Sequence, residues 1–199
     1  LLGARGNSGI ILSQILAGFA TAVQDKSRLT HTDFALGLSL GSDYAYQAIL
    51  TPVEGTILTV IKSVAQTSLR LADTSSTTEA CFSQILATAQ SALIDTPNLL
   101  PMLKTAGVVD SGAQGLVYLF EGMVRNLRGL SVEQVAYQEI EGSGIERAKL
   151  QPLDQQNYYD VQFLIKGHTL NVTAIRHQIA QMGQSPMVVG DEQQLKVHV

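Results

Sequence analysis

From Ile11 to Leu127 apolar residues recur every three or four positions, in segments broken by short polar or glycine-bearing stretches. That period belongs to helices with one buried face. A chain that keeps it this long is committed to burying helix against helix, and the short breaks suit antiparallel neighbours in a bundle. The pattern then changes. Residues 160–166 alternate and are rich in Val, Phe and Ile, which predicts a strand. Residues 172–182 predict a helix capped by Asn171 and ended by Gly183, with Ile175, Ile179 and Met182 on one side. Residues 187–189 and 195–199 predict a hairpin around Gly190-Asp191-Glu192. The expected fold is mainly α, an antiparallel helical barrel or bundle followed by a partial α/β unit. The expected division is 1–129 for the helical domain, 130–156 for a linker and 157–199 for the start of the second domain.

Within the first half, the first helix is expected to begin near Ser8 behind an Asn7 cap, with Ile11, Ile15, Leu16 and Phe19 inside. Thr32 and Asp33 are expected to cap the second helix, whose buried face is read as Leu36, Leu40, Tyr44 and Ala48. Its small residues Gly37, Ser39, Gly41 and Ser42 permit a close helix neighbour. Ile57, Val60, Ile61, Val64 and Leu71 form the core face of the third helix. Phe82, Ile85, Leu86, Ala89 and Leu93 form that of the fourth, which starts at 76–78. A short helix is expected over 97–106. The last begins after Asp110-Ser111-Gly112 and buries Leu116, Leu119, Phe120, Met123 and Leu127.

Composition excludes several classes. Hydrophobic residues make up 45% of the 199 and charged residues 15%, too apolar and too weakly charged for wholesale disorder. A net charge of -4, with no Lys/Arg run beyond two neighbours, argues against a nucleic-acid partner. The longest apolar stretch, 9–23, is interrupted by Ser13 and Gln14, so no transmembrane segment is expected. With one cysteine, Cys81, the chain has no internal disulfide framework and suits a reducing, cytoplasmic compartment.

The chemistry is concentrated at helix starts. Gly3-Ala4-Arg5-Gly6-Asn7-Ser8-Gly9 runs straight into an apolar helix. Unpaired amides and the helix dipole favour an anion there, glycine admits close approach, and Ser8 adds a hydroxyl. The same pattern also reads as a well-capped helix after a tight turn. Glu54-Gly55-Thr56 and Asp110-Ser111-Gly112-Ala113-Gln114-Gly115 repeat this grammar. If the three starts share one end of the bundle, they form a cup able to hold a nucleotide's phosphates.

Three stretches carry a resemblance: 3–14, 52–60 and 107–116, the last containing Gly107-Val108-Val109-Asp110-Ser111-Gly112. Their order and spacing resemble fatty acid kinase A, and beyond it the nucleotide-binding L subunit of dihydroxyacetone kinase (a DhaL-like fold). Val188-Val189-Gly190-Asp191 and 195–199 resemble that family's middle domain. The resemblance implies a helical barrel holding ATP and magnesium at one rim. Nucleotide contacts are carried over to Gly6, Asn7, Ser8, Gly9, Thr56, Asp110, Ser111 and Gly112; no catalytic residue is assigned. It also implies a kinase that phosphorylates a fatty acid carboxylate presented by a fatty-acid-binding carrier protein.

The family's magnesium ligands are aspartates upstream of the first motif. The chain starts at Leu1, so a truncated chain, inactive by itself, is expected. The family's middle domain holds zinc through one cysteine and two histidines. Asp160 stands at the cysteine position and His198 at the first histidine, which makes both candidate zinc ligands. They also read as a strand-end carboxylate and a strand imidazole, the plainer account of the two residues. A non-catalytic scaffold of the same fold and a dihydroxyacetone-type kinase remain open alternatives, and a homodimer is open because apolar helix faces could associate.

Overall fold

The computed structural model describes residues 4, 6–74, 77–131, 161–183 and 186–199. Seven helices are described: α1 (Gly6–Val23), α2 (His31–Ala48), α3 (Ile57–Leu71), α4 (Thr78–Leu99), α5 (Pro101–Ala106), α6 (Ser111–Leu127) and α7 (Val172–Ile179). Three strands complete the set: β1 (Gln162–Lys166), β2 (Met187–Gly190) and β3 (Gln194–His198). The mainly helical fold with a small α/β part is the one the periodicity predicts.

Helix directions follow from which residues meet. A methyl group placed on Gly41 would strike the backbone of Ile15, and one placed on Gly37 would strike the Phe19 ring. Rising number in α2 thus meets falling number in α1, so the two are antiparallel. Thr88 approaches Thr67, while Gly55 lies against Thr96 and Leu100. Arg128 reaches Glu79 and Ser83, while Asp110 reaches Thr96. Hence α2 and α4 run one way, and α3 and α6 run the other.

The core lies between these helices. Ile11, Ile15, Leu38, Leu58, Ile61, Val64, Ile85, Leu93, Leu116 and Phe120 are among its buried members. The predicted faces of α3 and α4 are largely those observed. Three predicted core residues are exposed instead: Leu16 (54%), Leu36 (51%) and Leu127 (41%). The α1–α2 seam explains the first two. Gly18, Gly37 and Gly41 bring the backbones into contact, which turns Ile10, Ile11 and Ile15 of α1 and Ala35, Leu38 and Ala45 of α2 inward.

Three boundaries also differ from expectation. Helix α1 begins at Gly6, so Asn7 lies inside its first turn rather than capping it. Thr30 caps α2, with Asp33 returning the bond to the Thr30 N–H, because a capping box needs its acidic partner three residues on. Helix α4 continues through Pro97 to Leu99. Proline has no N–H for the carbonyl of Leu93; the Thr96 hydroxyl donates to that carbonyl at 2.7 Å instead.

Helix α1 is 18 residues long and, despite Ser13 and Gln14, apolar enough by length and composition alone to cross a membrane, a test that a helix packed in a protein core also passes. Ser13 satisfies its hydroxyl within the helix, on the carbonyl of Ile10. The helix is packed lengthwise on α2.

The sheet order is β1-β3-β2, antiparallel throughout. On one face Val188, Leu195 and Val197 pack under α7 with Ile179. Asn171 caps α7, which stops at Ile179, leaving Met182 outside and exposed. On the other face Met187 and Val189 pack with Ile10 and Ala48, so the sheet rests on the starts and ends of the first two helices. Residues 132–156, within the expected linker, lie outside the described residues.

Candidate phosphate-binding cup

Asp110 organises the end of the bundle where α1, α3 and α6 begin. It caps α6: its Oδ2 accepts the N–H of Ala113 at 2.8 Å. The same oxygen accepts the N–H of Ile57, the first residue of α3, at 3.1 Å. One carboxylate therefore sits at two electropositive helix ends, the favourable placement for negative charge. The Asp110 N–H donates to Thr96 Oγ1 at 3.1 Å. Thr96 is fully buried, so the proline-bearing turn of α4 fixes the height of the Asp110 backbone.

Thr56 caps α3 through the N–H of Leu58 at 3.3 Å and donates to the carbonyl of Val53 at 2.8 Å. Gly55, at φ +82°, leaves no room for a side chain. A methyl group there would lie 2.8 Å from Leu100 Cβ, 2.9 Å from Leu100 N and 2.9 Å from the Thr96 carbonyl. Glu54 is held by hydroxyls: Tyr46 donates to Oε1 at 2.9 Å and Thr59 donates to Oε2. Lys62 lies 3.6 Å away. Burial by itself would raise the Glu54 carboxyl, but the Thr59 and Tyr46 hydroxyls and the Lys62 charge outweigh it and hold it below the usual range. Burial, and then Glu54, push the Tyr46 phenol up.

The start of α1 closes the third side. Gly6 takes φ +64°, a left-handed turn into the helix. Ser8 Oγ lies where a methyl group on Gly112 would approach it to 2.9 Å, and the same methyl would come within 3.3 Å of Asp110 Oδ2. Ser8, Gly112, Asp110 and the Ile57 amide therefore form one cluster. Asn7, Ser8 and Ser111 lie at its rim, all three exposed, and the space beside Gly9 holds nothing nearer than Ala4 at 3.9 Å.

The other singled-out residues lie elsewhere. His198 pairs across the sheet with Gln162 and Met187. Asp160 lies outside the described residues, and among the described residues no three His, Cys, Asp or Glu side chains gather as a metal site would require. Cys81 is buried, and sequence gives it no histidine neighbour; the fold brings His31 Nδ1 to 3.9 Å from its sulfur. Arg128 forms an ion pair with Glu79 at 2.9 Å, and Arg125 donates to the carbonyl of Ser131 at 3.0 Å. At the opposite end from the cup, a cavity of about 630 Å³ is lined by Phe34, Phe82, Met123 and Leu127 among others.

Comparison with known proteins adds two matches. The DAK2 domain family matches residues 1–125, and the fatty acid kinase A-like middle domain matches residues 156–199. Protein YloV of Bacillus subtilis is 35% identical over 210 residues, covering 100% of this chain and 38% of YloV. Uncharacterized proteins of Staphylococcus saprophyticus and Staphylococcus haemolyticus are 36% and 34% identical, each over 100% of this chain and 38% of their own length. The chain thus spans 38% of the length of these relatives.

Proposed function

The chain belongs to the DAK2 domain family, kinase-related in its dihydroxyacetone and fatty acid kinase branches, and we propose that it is the ATP-binding part of a cytoplasmic kinase that phosphorylates a fatty acid carboxylate. The observation that carries this reading is the meeting of three amide-rich helix starts around Asp110. Amides at such ends are electropositive, and those not taken by the Thr56 and Asp110 caps offer the chemistry a triphosphate needs. Under this reading Gly6, Asn7, Ser8 and Gly9 cradle phosphate oxygens from α1, Thr56 from α3, and Ser111 and Gly112 from α6. Asp110 takes the Ile57 and Ala113 amides itself; its part is to hold the starts of α3 and α6 together, so that the amides it leaves open face the anion.

Transfer breaks the bond between the γ-phosphorus and the ADP oxygen and forms one to a carboxylate oxygen, giving an acyl phosphate. The protein's part in such a step is to position the two ends and to neutralise charge. The middle-domain match supports a separate carrier protein that presents the lipid. Residues 1–129 and 157–199 are read as the two units and 130–156 as their connection.

Magnesium would arrive with the nucleotide. The carboxylates at the cup do not fit a cage for it: Asp110 Oδ2 is committed to two amides and Glu54 to hydroxyls and Lys62. One imidazole, that of His198, makes no zinc site by itself.

Calorimetric titration with a non-hydrolysable ATP analogue, with and without magnesium, tests the reading. Binding that weakens at least tenfold in Ser8→Ala combined with Ser111→Ala is the expected result. No binding by the unaltered chain under either condition would overturn it. Hydroxylamine trapping of an acyl phosphate, with the full-length protein and a lipid-loaded carrier, distinguishes the kinase from a scaffold.

A further inference from the structure

Lys196 occupies an unusual place for a lysine. It lies in the central strand β3 and is 7% exposed. Lysine is almost never buried without a partner, because its ammonium loses water on burial. Its Nζ donates to the carbonyl of Ala4, two residues before α1 and inside the first glycine-bearing motif. Register explains the direction. Val189 stands opposite Lys196 and Met187 opposite His198, so Met187, Val189 and Lys196 share the face that meets the helices.

A second contact reaches another loop of the cup. Met187 forms an antiparallel bridge with Ile49, the residue that ends α2. The chain runs from Ile49 to Thr56, the cap of α3. Between the two contacts lies the apolar seam of Ile10, Ala48, Met187 and Val189. The sheet therefore grips the segment leading into α1 and the segment leading toward α3, two of the three that build the cup.

We propose that Lys196 is a positioning residue for the phosphate-binding cup, holding the Ala4 carbonyl so that the α1 amides face the anion, and that docking of the β2–β3 face and nucleotide binding are thus thermodynamically linked. The inference rests on the nucleotide reading above. Linkage is reciprocal: if docking tightens nucleotide binding, nucleotide must tighten docking by the same factor.

The test uses the whole chain. Lys196→Met keeps the stem and removes the ammonium; Lys196→Arg keeps a charged donor. Expected for Lys196→Met is a loss of about tenfold in affinity for the ATP analogue, with faster amide hydrogen exchange at residues 6–10 and unchanged exchange in α3 and α4. Lys196→Arg should recover most of both. In the unaltered chain, nucleotide should slow exchange at 187–189. Val189→Ala, which thins the same seam without touching the lysine, keeps the test open if Lys196→Met does not fold, and it should move both readouts the same way. Unchanged affinity in Lys196→Met, or exchange at 187–189 that ignores nucleotide, would overturn the proposal. If the unaltered chain binds no nucleotide, the functional reading fails by itself. Exchange at 6–10 without nucleotide then still decides the positioning role: acceleration in Lys196→Met upholds it, and no change refutes it.

Discussion

Ile57 and Asp110 are 53 residues apart in the chain and are joined by one hydrogen bond, from the Ile57 amide to Asp110 Oδ2 at 3.1 Å. The bond ties the beginnings of α3 and α6 with the same oxygen that caps α6. An ordinary cap lost to alanine costs about 0.5–2 kcal/mol. Asp110 also loses a charge-assisted bond to a second helix, so Asp110→Ala is expected to cost about 2–3 kcal/mol. Urea unfolding beside Thr77→Ala, which removes the cap of α4 alone, measures the difference. Equal losses would mean that the Ile57 bond contributes nothing.

Thr96 supports Asp110 from behind. Its buried hydroxyl donates to the Leu93 carbonyl, which Pro97 leaves without an amide, and accepts the Asp110 N–H. Thr96→Val preserves shape and leaves both backbone groups unsatisfied, at about 3 kcal/mol. Replacing Pro97 by Ala in the same background returns an amide to Leu93 and is expected to recover part of the loss. Thermal unfolding of the two variants checks this, and a Thr96→Val chain as stable as the original contradicts it.

Much of this end of the molecule was legible in the sequence, and the reason is local. Thr56, Asp110 and Asn171 cap their helices because a short polar side chain ahead of an apolar run has amides to bind within three residues. The periodicity of α3 and α4 marks their buried faces because neither helix has a glycine seam. The illegible part is what depends on a distant neighbour. Leu16 and Leu36 look like core until Gly18 and Gly41 rotate their helices. Nothing near Asp110 in sequence announces Ile57, nothing near Cys81 announces His31, and an alternating strand gives no sign that Lys196 points inward onto Ala4.

Asp33 makes stability depend on acid. Backbone and hydroxyl bonds from Thr30, followed by Lys26, lower its carboxyl to about 2 from 3.8. A carboxyl depressed in the folded state stabilises fully above its unfolded value and loses that contribution as pH falls toward the folded one. The window is therefore about pH 4 to 2. Unfolding midpoints measured across it should fall more steeply for the original chain than for Asp33→Asn. Parallel slopes would show that the capping box carries no proton linkage.

Gly18 and Gly41 set the distance between α1 and α2. A methyl group on Gly18 would lie 2.5 Å from the carbonyl oxygen of Leu40 and 2.7 Å from the backbone of Gly41; one on Gly41 would lie 2.6 Å from the carbonyl oxygen of Ile15. These neighbours are backbone, so neither clash is relieved by turning a side chain, and overpacking of this kind costs about 1–3 kcal/mol. Alanine's better helix propensity returns at most about 1 kcal/mol. Gly18→Ala and Gly41→Ala should each destabilise the chain. Gly122→Ala, on α6 with open space around it, should stabilise it or leave it unchanged. Denaturant midpoints for the three variants decide the matter: if Gly18→Ala gains stability as Gly122→Ala does, the helices do not touch at this seam and the inward rotation of Ile15 needs another cause.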